Sequence, residues 1–183
     1  TPFAKTCKHA TKQALCLLGN RSFGYASPQR YALALLTNML GGPCQNSLLN
    51  IALREAHGLA YNVEVAATLY SECGATTIYF GTEKSSVDKC LHLVNIELDK
   101  LRNHPLRATQ LSRTKRQLLG QLAIASDSNE QAMLGFGKSM LNYGRVDSRK
   151  EVRERILAIS AEQLRTLACE VFDPNAMSSL MYV

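Results

Sequence analysis

No long hydrophobic run exists in this sequence: the apolar stretches are short and broken by polar residues, so none is a candidate transmembrane helix. Tryptophan is absent, and the basic segments Arg107 to Arg116 and Arg145 to Arg155 lack the interleaved aromatics of a base-stacking surface. The net charge of +6 therefore reads as solvated helix faces and not as a nucleic-acid footprint. In the first segment Arg107, Arg113, Lys115 and Arg116 alternate with Leu111, Leu118, Leu119 and Leu122, an amphipathic helix with a charged exterior. In the second, Lys150 and Arg153 are mixed with Glu151 and Glu154. A mildly basic exterior suits acidic peptides or a negatively charged partner.

Metal-binding spacing is missing too. Nowhere does H-x-x-E-H occur, the pattern that sets two imidazoles four apart on one helix face with a glutamate between them. His9, His57, His92 and His104 are far apart in sequence and read as a residue near a strand start, a last-turn residue, a mid-helix residue and a linker residue before Pro105. Cys7, Cys16, Cys44, Cys73, Cys90 and Cys169 are scattered singly without a C-x-x-C pair, so most read as small buried hydrophobes, and a nucleophilic cysteine lacks a positioned histidine. No metal site is expected in this chain.

What is present is the composition of an ordinary core: 183 residues, 46% hydrophobic and 20% charged, with no internal repeat or low-complexity linker. A single domain over residues 1–183 is expected. The chain begins at Thr1 and not at Met, which suggests a processed or excised chain from which a targeting segment would have been lost. A soluble protein is expected, cytoplasmic or periplasmic if bacterial.

Periodicity predicts a strand from His9 to Leu18, a loop from Gly19 to Ala26, and a helix capped by Ser27 with Pro28 at its first position, stopped at Gly41-Gly42-Pro43. A short helix from about Ser47 to His57 follows. Strands from Tyr61 and through Ile78 to Phe80 form a hairpin around Glu72-Cys73-Gly74. Ser85 with Asp88 reads as a capping box for a helix ending near His104-Pro105. Helices over Thr109 to Ala125, Ser128 to Tyr143, Ser148 to Ile159 and Ser160 to Phe172 precede a closing strand from Met177 to Val183, with Ser148-x-x-Glu151 and Ser160-x-x-Gln163 marking two of the starts. The expected class is α+β, two layers, a largely antiparallel sheet with helices packed on one face.

The most informative run is Leu53 to Tyr61, where a helical period changes to a period of two across Gly58, a residue suited to a helix C-cap. Arg54 lies in the last helical turn and Tyr61 opens the strand, so a guanidinium and a phenol can flank one point and hold a peptide carbonyl. Alternation puts Tyr61, Val63, Val65, Ala67 and Leu69 on one face, with Asn62, Glu64 and Thr68 on the other. Two plainer roles are open to the pair: the arginine complementing a helix dipole and the tyrosine packing half-buried.

Taken in order, Gln13 within Lys12 to Gly19, Leu40-Gly41-Gly42 followed by Asn46-Ser47, Arg54-Glu55 with Gly58-Leu59-Ala60-Tyr61, and Gly81-Thr82 resemble the C-terminal half-domain of the pitrilysin/insulysin zinc metallopeptidases, the inverted-motif group that includes processing peptidases. The resemblance continues through Lys115, Gln117 and Tyr143-Gly144 to the C-terminal helix and strand. It implies a substrate-binding, non-catalytic half of a zinc endopeptidase. Arg54 and Tyr61 would bind the substrate backbone and Tyr61 the oxyanion, with Gly41 and Gly42 in the substrate-binding loop. Zinc, bound by no residue of this chain, would come from a zinc-bearing N-terminal half on the same polypeptide or a separate subunit. Peptide would be the substrate, homo-oligomers are possible, and neither nucleic acid nor membrane is implied. Alone the chain should not hydrolyse peptides. One departure is Ser47-Leu48-Leu49, where the family commonly reads Ser-Arg-Leu. The alternative is a non-enzymatic scaffold of the same fold.

Overall fold

The computed structural model describes every residue except His9 and Ser126. The expected strand start at His9 thus lies outside the described residues. These fold into a five-stranded sheet of order β1-β5-β2-β4-β3, built from β1 (Ala4–Cys7), β2 (Gln13–Ser22), β3 (Ala60–Leu69), β4 (Gly74–Glu83) and β5 (Ser178–Tyr182). Only β1 with β5 runs parallel; the β2–β4, β2–β5 and β3–β4 ladders are antiparallel. The expected hairpin is β3–β4, closed where the Tyr70 amide donates to the Cys73 carbonyl (2.8 Å). β1 is four residues long and mostly exposed, too short and too weakly alternating to read from sequence.

Six α-helices complete the described chain: α1 (Arg30–Gly41), α2 (Val87–Asn103), α3 (Ala108–Ala125), α4 (Asn129–Tyr143), α5 (Arg149–Ala158) and α6 (Ala161–Val171). Helices cover one face of the sheet. Ala14, Cys16, Val63, Val65, Ile78 and Phe80 point into the core from the strands, whereas Leu15, Leu17 and Tyr182 remain on the open face. α1 is enclosed almost all round, with Leu33, Leu35, Leu36 and Leu40 fully buried. Each such leucine contributes roughly 2 kcal/mol of burial. Cys16 and Cys90 are buried too, and burial, followed by the neighbouring Cys90, raises the Cys16 thiol to about 11. Cys73 and Cys169, by contrast, are exposed, because they fall on a hairpin turn and the outer side of α6.

Helix starts show where local signals hold and where they fail. Ser148 and Glu151 form the full reciprocal capping box, and the Ser160 hydroxyl accepts from the Gln163 amide (3.0 Å). The box at Ser85 and Asp88 does not form: a 3-10 turn over Lys84–Ser86 leads directly into α2. Nor does α1 begin at Pro28. Ser27 accepts from the Gln29 amide (3.2 Å) and shapes a turn, so the helix starts at Arg30.

Asp147, between α4 and α5, gathers charge from three elements. It accepts from the Tyr31 hydroxyl (2.5 Å), Arg30 (2.7 Å), Arg145 (2.5 Å) and Arg155 (3.0 Å). The Arg30 guanidinium also lies 4.2 Å from the centroid of the Tyr143 ring. These bonds, led by the one from Tyr31, hold the Asp147 carboxyl down at about 2. Arg145 and Arg155 are therefore engaged in structure and are not merely a solvated face. Lys115 is also corrected: the residue is buried and its amine donates to the Leu157 carbonyl (2.7 Å), which pins α3 to α5 instead of facing solvent, and burial lowers its pKa.

Candidate functional site

The helix expected before β3 is a π-helical turn over Asn50–Glu55. The Ala56 amide reaches the Ile51 carbonyl (2.9 Å), one residue wider than an α-turn, and such insertions occur frequently at functional sites. Gly58 closes it with φ of 62°, in the left-handed region expected of the cap. Its amide donates to Arg54 (2.8 Å) and that of Leu59 to Leu53 (2.8 Å). The Thr82 hydroxyl then donates to the Leu59 carbonyl (2.6 Å), fastening the junction to β4.

Pleat alternation fails at the next step. Ala60 and Asn62 face the consecutive residues Thr82 and Gly81, so Tyr61 is the extra residue of a β-bulge. Val63 and Val65 are buried, whereas Tyr61 is 56% exposed. The placement of Tyr61 on the valine face is thus corrected: the bulge re-aims the ring outward. Its hydroxyl donates to Glu83 Oε1 at 3.3 Å.

Arg54 is also accessible, its side chain 48% exposed and its Nε 3.9 Å from Glu55. It lines a cavity of about 320 Å³ with Gly41, Gly42, Pro43, Gln45, Asn50, Asn62 and Glu64 among others. The cavity brings Arg54 together with the glycine pair, whereas Tyr61, expected to flank the same point as Arg54, is not among its lining residues. Asn50 is held by its bond to the buried Ser47 hydroxyl (2.7 Å). Asn62 and Glu64 were legible as the outward side of β3, but the cavity they help to line depends on tertiary packing that spacing cannot show.

Gly41 and Gly42 do more than end α1. A Cβ at position 41 would lie 2.9 Å from the Val65 nitrogen, and one at position 42 would lie 2.5 Å from the Asn38 carbonyl oxygen. Backbone proximity is required at both. The last turn of α1 and the loop that follows are tied to α3, where Asn38 donates to Gln121 (2.6 Å), Asn46 to Gln117 (3.0 Å) and Gln121 to the Cys44 sulfur (2.9 Å).

A cavity with one guanidinium, one carboxylate and several amides can bind an extended peptide backbone through charge-assisted and neutral hydrogen bonds. Among the described residues no three His, Cys, Asp or Glu side chains come close enough to hold a metal ion, so this donor set does not fit zinc. Nor, among the described residues, is any helix long and apolar enough to cross a membrane.

Comparison with known proteins agrees with this architecture. The family described as peptidase M16 inactive domain matches residues 4–118. A zinc protease of Streptomyces coelicolor, itself uncharacterized, is 29% identical over 161 residues, covering 88% of this chain and 35% of its own length. The Bacillus subtilis zinc protease YmxG, also uncharacterized, is 29% identical over 176 residues, covering 96% of this chain and 43% of its own. The chain thus spans about two-fifths of the length of these relatives. A crystal structure of a peptidase M16 inactive domain from Pseudomonas fluorescens superposes with a TM-score of 0.84 at 21% identity, over 99% of this chain and 43% of that one. Since the family match takes in well over half of the residues, the chain belongs to the M16 zinc protease family and corresponds to its C-terminal, inactive half-domain.

Proposed function

We propose that residues 1–183 act as one domain, the substrate-binding half of a zinc endopeptidase, and that Arg54 and Tyr61 are its contribution to the active site. The single observation that carries this reading is the outward release of Tyr61 by a β-bulge, seven residues from an exposed Arg54 in a polar cavity. A structural arginine and a packing tyrosine would not both be left accessible at such cost in ladder regularity.

In the proposed role, the Arg54 guanidinium donates to a substrate carbonyl and fixes the peptide along the cavity. The Tyr61 hydroxyl exchanges its long bond to Glu83 for the oxyanion that develops on the scissile carbonyl, an interaction stronger in the transition state than in the ground state. Zinc, which the complementary H-x-x-E-H half would hold, would activate the attacking water. Alone the chain binds peptide and does not cleave it.

The test is reconstitution with that half, followed by peptide cleavage. Activity that needs both halves and falls with Arg54→Ala and with Tyr61→Phe supports the reading; activity indifferent to both substitutions removes it. Cleavage absent with both halves and zinc present favours the scaffold alternative.

A further inference from the structure

A groove of about 790 Å³ runs between α3 and α5. It lies across α3 from the candidate site: Gln117 and Gln121, which hold the loop bordering that site, leave the helix on the side opposite Lys115 and Ser112. Its floor is apolar, built by Leu111, Leu119 and Leu157, and its cations are Lys115, Arg116 and Arg153, with no aspartate or glutamate among the lining residues. Lys115 is fixed by its bond to the Leu157 carbonyl. Arg30, Arg102, Arg145, Arg155 and Arg165 each hold a carboxylate of this chain. Arg116 and Arg153 do not: both are exposed, and among the described residues neither has a hydrogen-bond or ion-pair partner. Gly120 is a second, independent observation. It lies in the interior of α3 and lines the groove, where glycine weakens the helix, yet a Cβ built on it would meet no described atom within 4 Å beyond the helix itself. No packing within the chain requires the missing side chain; a body laid closely against α3 would.

We infer that the groove between α3 and α5 is a docking site for an acidic amphipathic helix of a partner protein. Charge selects the sign of the occupant, because two unpaired guanidiniums with no carboxylate among the groove's lining residues are free to form bidentate pairs with incoming carboxylates. The leucine floor selects an apolar side on the same occupant. Length and shape select a helix: from Ala108 to Ala123 the lined part of α3 runs about 22 Å, four turns, and a third helix seats between two others by entering the groove that their side chains leave. Nucleic acid is disfavoured because no aromatic ring lines the groove for a base to stack on. A second copy is disfavoured because each chain carries a net charge of +6. The inference does not rest on the proposed function, and the groove shares no lining residue with the candidate site.

The probe is a fluorescein-labelled synthetic helix of about 15 residues, leucine along one side and glutamate along the other, titrated with the full chain and read by fluorescence anisotropy. It should bind, and Arg116→Glu combined with Arg153→Glu should weaken binding by about tenfold or more. Replacing the peptide's glutamates by lysine should restore binding to that double variant and not to the wild-type chain. Gly120→Leu should weaken binding by a similar factor with the Tm unchanged or raised, since the new side chain enters open space on a helix that it favours. No binding of the acidic helix at millimolar chain overturns the inference, as does equal binding by the double variant or by a peptide with glutamine in place of glutamate. Displacement of the bound helix by the separately expressed H-x-x-E-H half or by single-stranded DNA also overturns it, by giving the groove to a different occupant. So does self-association of the wild-type chain that the double variant loses.

Discussion

Gly41 stands so close to Val65 that a single added methyl at the glycine would press 2.9 Å from the Val65 nitrogen. The end of α1 and the middle of β3 therefore meet backbone to backbone, and the candidate cavity opens beside that contact.

Gly41→Ala should displace β3 from α1. Overpacking of this kind costs about 1–3 kcal/mol. Urea unfolding should show a lower midpoint with little change in slope, and reconstituted cleavage should fall by more than the loss of folded protein accounts for.

Tyr61→Phe removes the hydroxyl and retains the ring. Loss of one oxyanion donor lowers kcat by about 10²–10³-fold. The reconstituted enzyme should show that loss chiefly in kcat, whereas Arg54→Lys, which loses the planar fork and keeps the charge, should raise KM as well. Stability of the chain should be unaltered by either, because both side chains are exposed.

Acid stability should report on Asp147. Its carboxyl titrates near 2 in the folded chain and near the ordinary carboxylate value of roughly 3.9 when unfolded, so the unfolded state binds the proton more readily. The contribution is fully present above about pH 5 and is lost as pH falls toward 2. It is on the order of 2 kcal/mol. Asp147→Asn should lower stability at pH 7 and flatten the acid limb of a stability-against-pH curve; Tyr31→Phe should do so partially.

Ser148→Ala removes one arm of the capping box on α5 and should cost about 1 kcal/mol, read as a lower Tm. Ser85→Ala, where no box forms, should leave Tm nearly unchanged.

Residues whose structure follows from neighbours a few positions away were readable. Gly58 had to adopt positive φ between a helical run and a strand, and it does. Ser148 and Ser160 cap the helices they precede. Long-range effects were not readable in the same way. Tyr61 alternates correctly with Val63 on paper, yet the bulge depends on how Ala60 and Asn62 meet Thr82 and Gly81 across the sheet. Lys115 looks like one more charge on a basic helix until α5 brings the Leu157 carbonyl over it. The pairing of β1 with β5 joins chain ends more than 170 residues apart, and four exposed residues leave no local trace of it. For the candidate site, Arg54, Gly41 and Gly42 were singled out by the family resemblance and not by spacing, and Gln45 and Asn50 join them in one cavity only through the fold.

The irregular pairing at Tyr61 sets regularity against use. Deleting Ala60 would put Tyr61 in its place opposite Thr82, let the two strands pair without interruption and swing the ring inward against the helices. Such a shortened protein would have a more uniform sheet and a phenol hidden from any incoming peptide. The imperfection in β3 is accordingly a feature that selection for firmness alone would erase.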